Sequence, residues 1–331
     1  MAYQPPFTIT TEILNLVAKI SEACGRLTLE FEQEKLLRLR KVNRMRTIQG
    51  SLAIEGNTLS EAQITAILEG NRVIAPPKEV QEARNAIAAY DAIGNWHPTD
   101  TNDLLAAHQL LMDGLIDNAG RFRSQGVGVM SGAQVVHMAP QADRVPKLMT
   151  DLLAWLRTTD LHPLLASCIF HYEFEFIHPF ADGNGRMGRL WQTLILSKWQ
   201  PIFMNIPVES LVYQHQQAYY LAIRNSTAQT DCSPFIQFML EMILDAIEES
   251  TSSQFESEGL NAGLNAGLKL LPLDHAIIEL IKANRHITNA MLAEQTGKAL
   301  STIERRIKKL KEHLLLKRVG AKKTGHWEVH T

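Results

Sequence analysis

Cysteine is scarce in this 331-residue chain: Cys24, Cys168 and Cys232 stand far apart, and no two share a CxxC spacing. That excludes a disulfide framework and a cysteine-held zinc, and the three read as buried thiols. Long apolar runs are missing as well. No stretch approaches the ~18 to 20 uninterrupted apolar residues that a membrane helix needs. The start, Met1 to Thr10, lacks a basic segment followed by an apolar core. The expectation is therefore no membrane partner, with the cytoplasm as default compartment. Charge of one sign does not dominate either, because the formal net charge is −2. What is present is a 45% hydrophobic composition in a chain too long for one small core, which suggests two or three compact units.

The near-neutral balance hides a local excess. Between Arg285 and His326 there are eleven Lys or Arg against three Asp or Glu. The remainder must be acidic, which points to a separate basic module at the C-terminal end. Apolar residues recur at helical spacing through most of the chain, as in Ile13, Leu16, Val17 and Ile20, then Leu104, Leu105, His108, Leu111 and Met112. The fold class is mainly α. Ser60 and Gln63 fit a capping box at a helix start, Pro76 and Pro77 interrupt the helical region, and a further helix is expected from Lys78 to Ile93.

Gly126 to Pro140 departs from this pattern: Val127, Val129, Val135 and Val136 flank Ser131-Gly132-Ala133-Gln134, which predicts a small β-hairpin. Its glycines are spaced GxGxxxG with no helix following at once, so a dinucleotide fold is rejected. From Ser250 to Pro272 the composition turns to Ser, Gly and Asn, with a short repeat over Leu260 to Leu268, and reads as a hinge or linker helix. Beyond it, helices are expected at Leu273–Ala283, Thr288–Gln295 and Ser301–Leu315, followed by a two-stranded wing over Leu316–Val329. That succession resembles a winged helix-turn-helix domain.

The chemistry concentrates in His178-Pro179-Phe180-Ala181-Asp182-Gly183-Asn184-Gly185-Arg186-Met187-Gly188-Arg189. Apolar helices are expected before it, Leu164 to Phe176, and after it, Leu190 to Lys198. Gly183 and Gly185 let the backbone expose N–H groups, which with the positive end of the next helix make an anion cradle. Arg186 and Arg189, three apart, suit a polyphosphate. Asp182 offers one hard oxygen ligand of the kind magnesium takes, and His178 titrates near neutrality as a general base would. Singly, each has a structural explanation; together within one segment they indicate phosphate chemistry. His171, by contrast, reads as a core histidine, and Trp155, Trp191 and Trp199 as packing residues.

The segment resembles the Fic signature, HxFx(D/E)GNGRxxR, at every defined position. The similarity extends over roughly Gly120 to Leu240 and includes Gly120-Arg121-Phe122-Arg123, Tyr219-Tyr220 and Pro234-Phe235-Ile236. The resemblance implies a helical Fic core with a β-hairpin flap, transferring AMP from Mg·ATP to Ser, Thr or Tyr of a target protein, itself included. It implies His178 as general base and Asp182 as the Mg2+ ligand. Gly183, Asn184 and Gly185 would cradle phosphate, Arg186 would support the β-phosphate and Arg189 the γ-phosphate, with Tyr219 on the adenosine side. Val127, Gly128, Val129 and Met130 would form the flap edge that pairs with the target strand. Relatives that transfer UMP or phosphocholine keep a similar loop, so the chemistry is fixed more closely than the donor.

Upstream, Ser51-Leu52-Ala53-Ile54-Glu55-Gly56 resembles the family's inhibitory pattern, (S/T)xxxE(G/N), in the arrangement with an inhibitory helix N-terminal to the signature in the same chain (class II). Four apart on a helix, Ser51 and Glu55 share a face. The expectation is that Glu55 competes with the γ-phosphate for Arg189, and relatives of this arrangement can also remove AMP. The implied division is an N-terminal helical region over 1–94, a catalytic core over 95–250, a linker over 251–272 and a winged domain over 273–331. Homodimers are common in the family. In the winged domain, Arg305, Arg306, Lys308, Lys309 and Lys311 suit DNA phosphates, with docking on protein as the alternative, and Ser301 and Thr302 are hydroxyl candidates for self-modification. A second class of function stays open, a transcriptional regulator whose core senses nucleotide without turnover; the intact His178 favours the enzyme.

Overall fold

The computed structural model of the chain describes residues 3–30, 36–126, 128–131, 134–259, 272–312, 316–319 and 326–329. It is mainly helical, with two small antiparallel hairpins among the described residues. The chain divides into two compact units, Met1–Glu249 and Ser250–Thr331.

In the first unit, α1 (Thr11–Glu30), α2 (Leu36–Ile54), α3 (Glu61–Leu68) and α4 (Pro77–Ala92) precede α5 (Thr101–Leu111). The Ser60 capping box forms as expected: the Gln63 N–H donates to Ser60 Oγ at 3.3 Å and the Ser60 N–H donates to Gln63 Oε1 at 3.0 Å. Such a cap stabilises a helix start by about 1 kcal/mol. Asp100 caps α5 in the same way through the N–H groups of Asn102 and Asp103. The expected hairpin follows as β1 (Gly128–Ser131) and β2 (Gln134–Met138), with a register irregularity between Val129 and Met130. Val127, expected at the flap edge, and Gly132 and Ala133 of the turn lie outside the described residues.

Then come α6 (Val145–Thr158), α7 (Pro163–Ile177), α8 (Asn184–Trp199), α9 (Val208–Gln214) and α10 (Gln216–Gln229). α8 begins at Asn184, not near Leu190, so the signature's two arginines stand on a helix and the connection from α7 spans only residues 178–183. One apolar core runs from Ile13 to Ile247 and is shared by the N-terminal helices and those around the signature. α7 packs on α8, and α2 on α9. His171, Trp155 and Trp191 are buried in this core, as are all three cysteines. α11 (Ser233–Gly259) extends past the expected linker start at residue 251, so that segment is helical up to Gly259. The repeat over 260–268 lies outside the described residues.

The second unit holds α12 (Pro272–Ala283), α13 (Asn289–Thr296) and α14 (Leu300–Glu312), then β3 (Leu316–Val319) paired with β4 (His326–Val329). Thr288 caps α13, and Gly297, at φ +64°, ends it. Its own core joins Ile277, Ile281, Ile303, Ile307, Leu310 and Trp327. Arg306 shares the inward face of α14 with Ile303, Ile307 and Leu310 and makes a buried, two-pronged pair with Asp274. It is therefore part of the core, whereas Arg305 and Lys309 remain exposed. Thr302 is half-buried. No described helix is long and apolar enough to cross a membrane.

Candidate active site

α7 ends on His178, which takes the left-handed conformation, φ 50° and ψ 63°. A residue other than glycine pays about 1–2 kcal/mol there, so its surroundings must hold it. Pro179 cannot continue the helix, and the chain reverses into the turn that delivers α8. Asn184 closes that turn: its Nδ2 donates to the Phe180 carbonyl and its Oδ1 accepts from the Phe180 N–H, both at 2.9 Å. Its side chain is thereby spent on the loop, leaving only its backbone N–H to face an anion.

Gly183 is the N-cap of α8, at φ +82°, and the first helical bond runs from the Met187 N–H to the Gly183 carbonyl. The N–H groups of Asn184, Gly185 and Arg186 precede that ladder, as donors at the positive end of a helix do. A carboxylate already stands beside Gly185: a Cβ added there would collide with Glu55 Oε1 and lie 3.0 Å from Arg189 Nη1.

Glu55 follows the last residue of α2 rather than sitting within it, yet it shares Arg189 with Ser51. The guanidinium donates from Nη2 to Glu55 Oε1 at 2.7 Å and to the Ser51 carbonyl at 3.0 Å, and from Nε to Ser51 Oγ at 3.2 Å. Arg189 and Ser51 are buried, while the Glu55 side chain keeps 33% of its exposure. Burial alone would lower the Arg189 pKa, but the Glu55 carboxylate paired with it raises it. Arg186 leans on Asp182 at 3.3 Å and on Glu82 of α4 at 3.5 Å.

The Asp182 carboxylate is half exposed and accepts from the Gly183 N–H and Arg186 through one oxygen, Oδ1. No cluster of three or more His, Cys, Asp or Glu among the described residues could hold a metal. A single carboxylate beside a phosphate cradle fits a magnesium ion delivered with the phosphates and keeping most of its waters. Tyr219 is buried, and its hydroxyl lies 3.1 Å from His171 Nε2, whose other nitrogen lies 2.7 Å from Gln192 Oε1. Burial lowers His171 to about 3, so it stays neutral.

Three comparisons bear on this arrangement. Residues 98–196 match the Fic/DOC family and residues 270–313 a winged helix-turn-helix DNA-binding family. The chain is similar over 99% of its length to the crystal structure of a Fic family protein from Desulfovibrio desulfuricans G20, covering 98% of it at 46% identity and a TM-score of 0.76. This chain belongs to the Fic family. Curated relatives called protein adenylyltransferase include one from Nematostella vectensis, 30% identical over 62% of this chain and 49% of its own, and one from Caenorhabditis briggsae, 32% identical over 57% and 38%. The Fic chain thus spans less than half the length of these relatives. Fic-1 of C. elegans, at 22% identity and a TM-score of 0.62, shares the fold.

The Fic site also contains residues that the sequence reading passed over. His108, read only as one member of an apolar stripe, lies 3.0 Å from the Asp182 carbonyl through Nε2, accepts the Gly120 N–H on Nδ1 at 2.8 Å, and stacks on Phe180 with centroids 3.6 Å apart. An acceptor at Nδ1 places the proton on Nε2, and burial lowers this histidine to about 4. Glu175, one turn before His178, is buried close to Gly188. Burial lifts its carboxyl to about 8, with Arg189 opposing and Glu55 adding to the rise. A glutamate three residues before a histidine on a helix was the available signal.

Proposed function

We propose that this Fic protein is an autoinhibited adenylyltransferase, moving AMP from Mg·ATP to a hydroxyl of a target protein. What supports the reading is one juxtaposition: the Glu55 carboxylate and the Arg189 guanidinium meet beside Gly185 in the first turn of α8, where a phosphate would bind. His178 takes the proton of the target hydroxyl as its oxygen attacks the α-phosphorus, the bond to the β-phosphate oxygen breaks, and pyrophosphate leaves. The α8 N–H groups and Arg186 hold the leaving phosphates, and positioning with fixed positive charge supplies most of the acceleration. The magnesium that accompanies ATP would be held by Asp182 and neutralise phosphate charge. Arg189 would take the γ-phosphate only when Glu55 withdraws, so the brake acts on nucleotide pose.

Incubating the full chain carrying Glu55→Gly with α-labelled and γ-labelled ATP tests this. Label is expected on protein from the α position only; label from the γ position alone would mean kinase chemistry instead. The curated relatives named protein adenylyltransferase are consistent with this donor.

The winged unit supplies a second contact, with DNA. Arg305 and Lys309, among the exposed cations of α14, are available to phosphates, whereas Arg306 is committed to Asp274. A gel shift of the full chain on duplex DNA should weaken as salt rises, and the double change Arg305→Glu with Lys309→Glu should lower affinity by about 10-fold or more at low salt. Unchanged retention would move the contact off α14.

A further inference from the structure

Arg123 lies in the segment between α5 and the hairpin and is 3% exposed. Its guanidinium donates to four main-chain carbonyls: His178 at 2.7 Å from Nε, Gln125 at 2.9 Å from Nη1, and Pro140 at 2.6 Å and Ile177 at 3.3 Å from Nη2. Its own N–H donates to the Pro179 carbonyl at 2.9 Å. These acceptors fall into two groups. Ile177, His178 and Pro179 are the C-terminal end of α7 and the turn carrying the candidate base. Gln125 and Pro140 bracket β1 and β2, one on each side of the hairpin.

A buried guanidinium needs compensating negative potential. Among the described residues Arg123 has no carboxylate partner, so the compensation comes from the negative end of the α7 dipole and the carbonyls themselves. A cation capping a helix end explains two of the bonds. It does not explain the other two, which reach across to both feet of the hairpin. The rigid planar fork of arginine can serve both groups at once, and a lysine ammonium cannot reproduce that geometry. The His178 carbonyl accepts the Nε bond at 2.7 Å, so this clamp helps hold its left-handed conformation.

We propose that Arg123 is a positioning residue that ties the feet of the hairpin to the main chain of His178, so that a target strand laid on the hairpin and the base that deprotonates its hydroxyl are set by one side chain. The functional half rests on the adenylyltransferase reading above; the mechanical half does not. Substrate positioning is sensitive at this scale, since a displacement of about 1 Å is enough to cost about 100-fold in rate.

The test uses the full chain with Glu55→Gly, alone and combined with Arg123→Gln or Arg123→Lys. Backbone hydrogen exchange is followed at residues 125–140 and at 176–180. The clamp predicts that Arg123→Gln speeds exchange in both segments together, by about 10-fold or more, with Arg123→Lys intermediate. Titration with Mg·ATP should give a dissociation constant within about threefold of the parent, while transfer of α-label onto protein falls by about 30- to 100-fold. Faster exchange in one segment with the other unchanged would overturn the coupling, as would a loss of transfer that merely follows lost Mg·ATP binding. If both variants fail to fold, Arg123 belongs to core stability and the proposal falls. If the parent transfers no label, the adenylyltransferase reading fails, while the exchange data still decide the clamp.

Discussion

Replacing His178 with Ala is expected to remove AMP transfer both in the native chain and in the Glu55→Gly chain, while Mg·ATP binding stays within about threefold. The base acts on the target hydroxyl and touches no phosphate in the proposed arrangement, so binding and chemistry should separate. General bases contribute about 10² to 10⁴-fold, and a loss in that range is expected here. Alanine also inherits a left-handed backbone at φ 50°, which costs about 1–2 kcal/mol for a residue with a Cβ. His178→Asn separates the two effects, since asparagine tolerates that conformation better than alanine. Both variants should lose α-label transfer alike, with the asparagine chain melting closer to the parent. Transfer retained in both would remove His178 from the role of base.

The difference between what the sequence announced and what it hid follows from how each residue acts. The Fic signature from His178 to Arg189 was legible because it is local: consecutive residues carry the histidine, the glycines, the carboxylate and the two guanidinium groups. The three helices and wing of the C-terminal unit were legible through periodicity and turn residues, Thr288 and Gly297 among them. The start of α8 was misjudged because Gly-Asn-Gly reads as a turn, whereas Gly183 in a left-handed N-cap lets the helix begin on the next residue. Arg306 was grouped with its basic neighbours because sequence adjacency conceals the helical face that directs it to Asp274. His108 was read only as apolar-stripe spacing, and Arg123 only as part of the Gly120–Arg123 resemblance; what each does was hidden for a further reason. Each serves main-chain atoms 55 or more residues away, His108 at Asp182 and Arg123 at His178, and a bond to a backbone carbonyl leaves no pattern of partner residue types to read.

The second large effect concerns the brake. Glu55→Gly should raise transfer, and the size of the rise follows from what Arg189 loses. Hydrogen bonds to charged groups contribute about 1.5–3 kcal/mol each, so removing the Glu55 carboxylate should favour phosphate at Arg189 by about 10- to 100-fold. The rise should appear at fixed Mg·ATP as a faster initial rate of α-label transfer. Glu55→Gln, which keeps the shape and loses the charge, should fall between glycine and the native residue. Ser51→Ala should matter less, because its carbonyl bond to Arg189 at 3.0 Å survives the change and the Glu55 pair at 2.7 Å is untouched. The activated variant should also pay in stability: Arg189 is 2% exposed, and a buried cation left with only the Ser51 contacts costs several kcal/mol unless a phosphate or another carboxylate replaces the lost one. Mg·ATP should therefore raise the melting temperature of Glu55→Gly more than that of the native chain. An unchanged transfer rate in Glu55→Gly, with that greater stabilisation by Mg·ATP intact, would reduce the Glu55–Arg189 pair to a structural contact and place control of the reaction elsewhere.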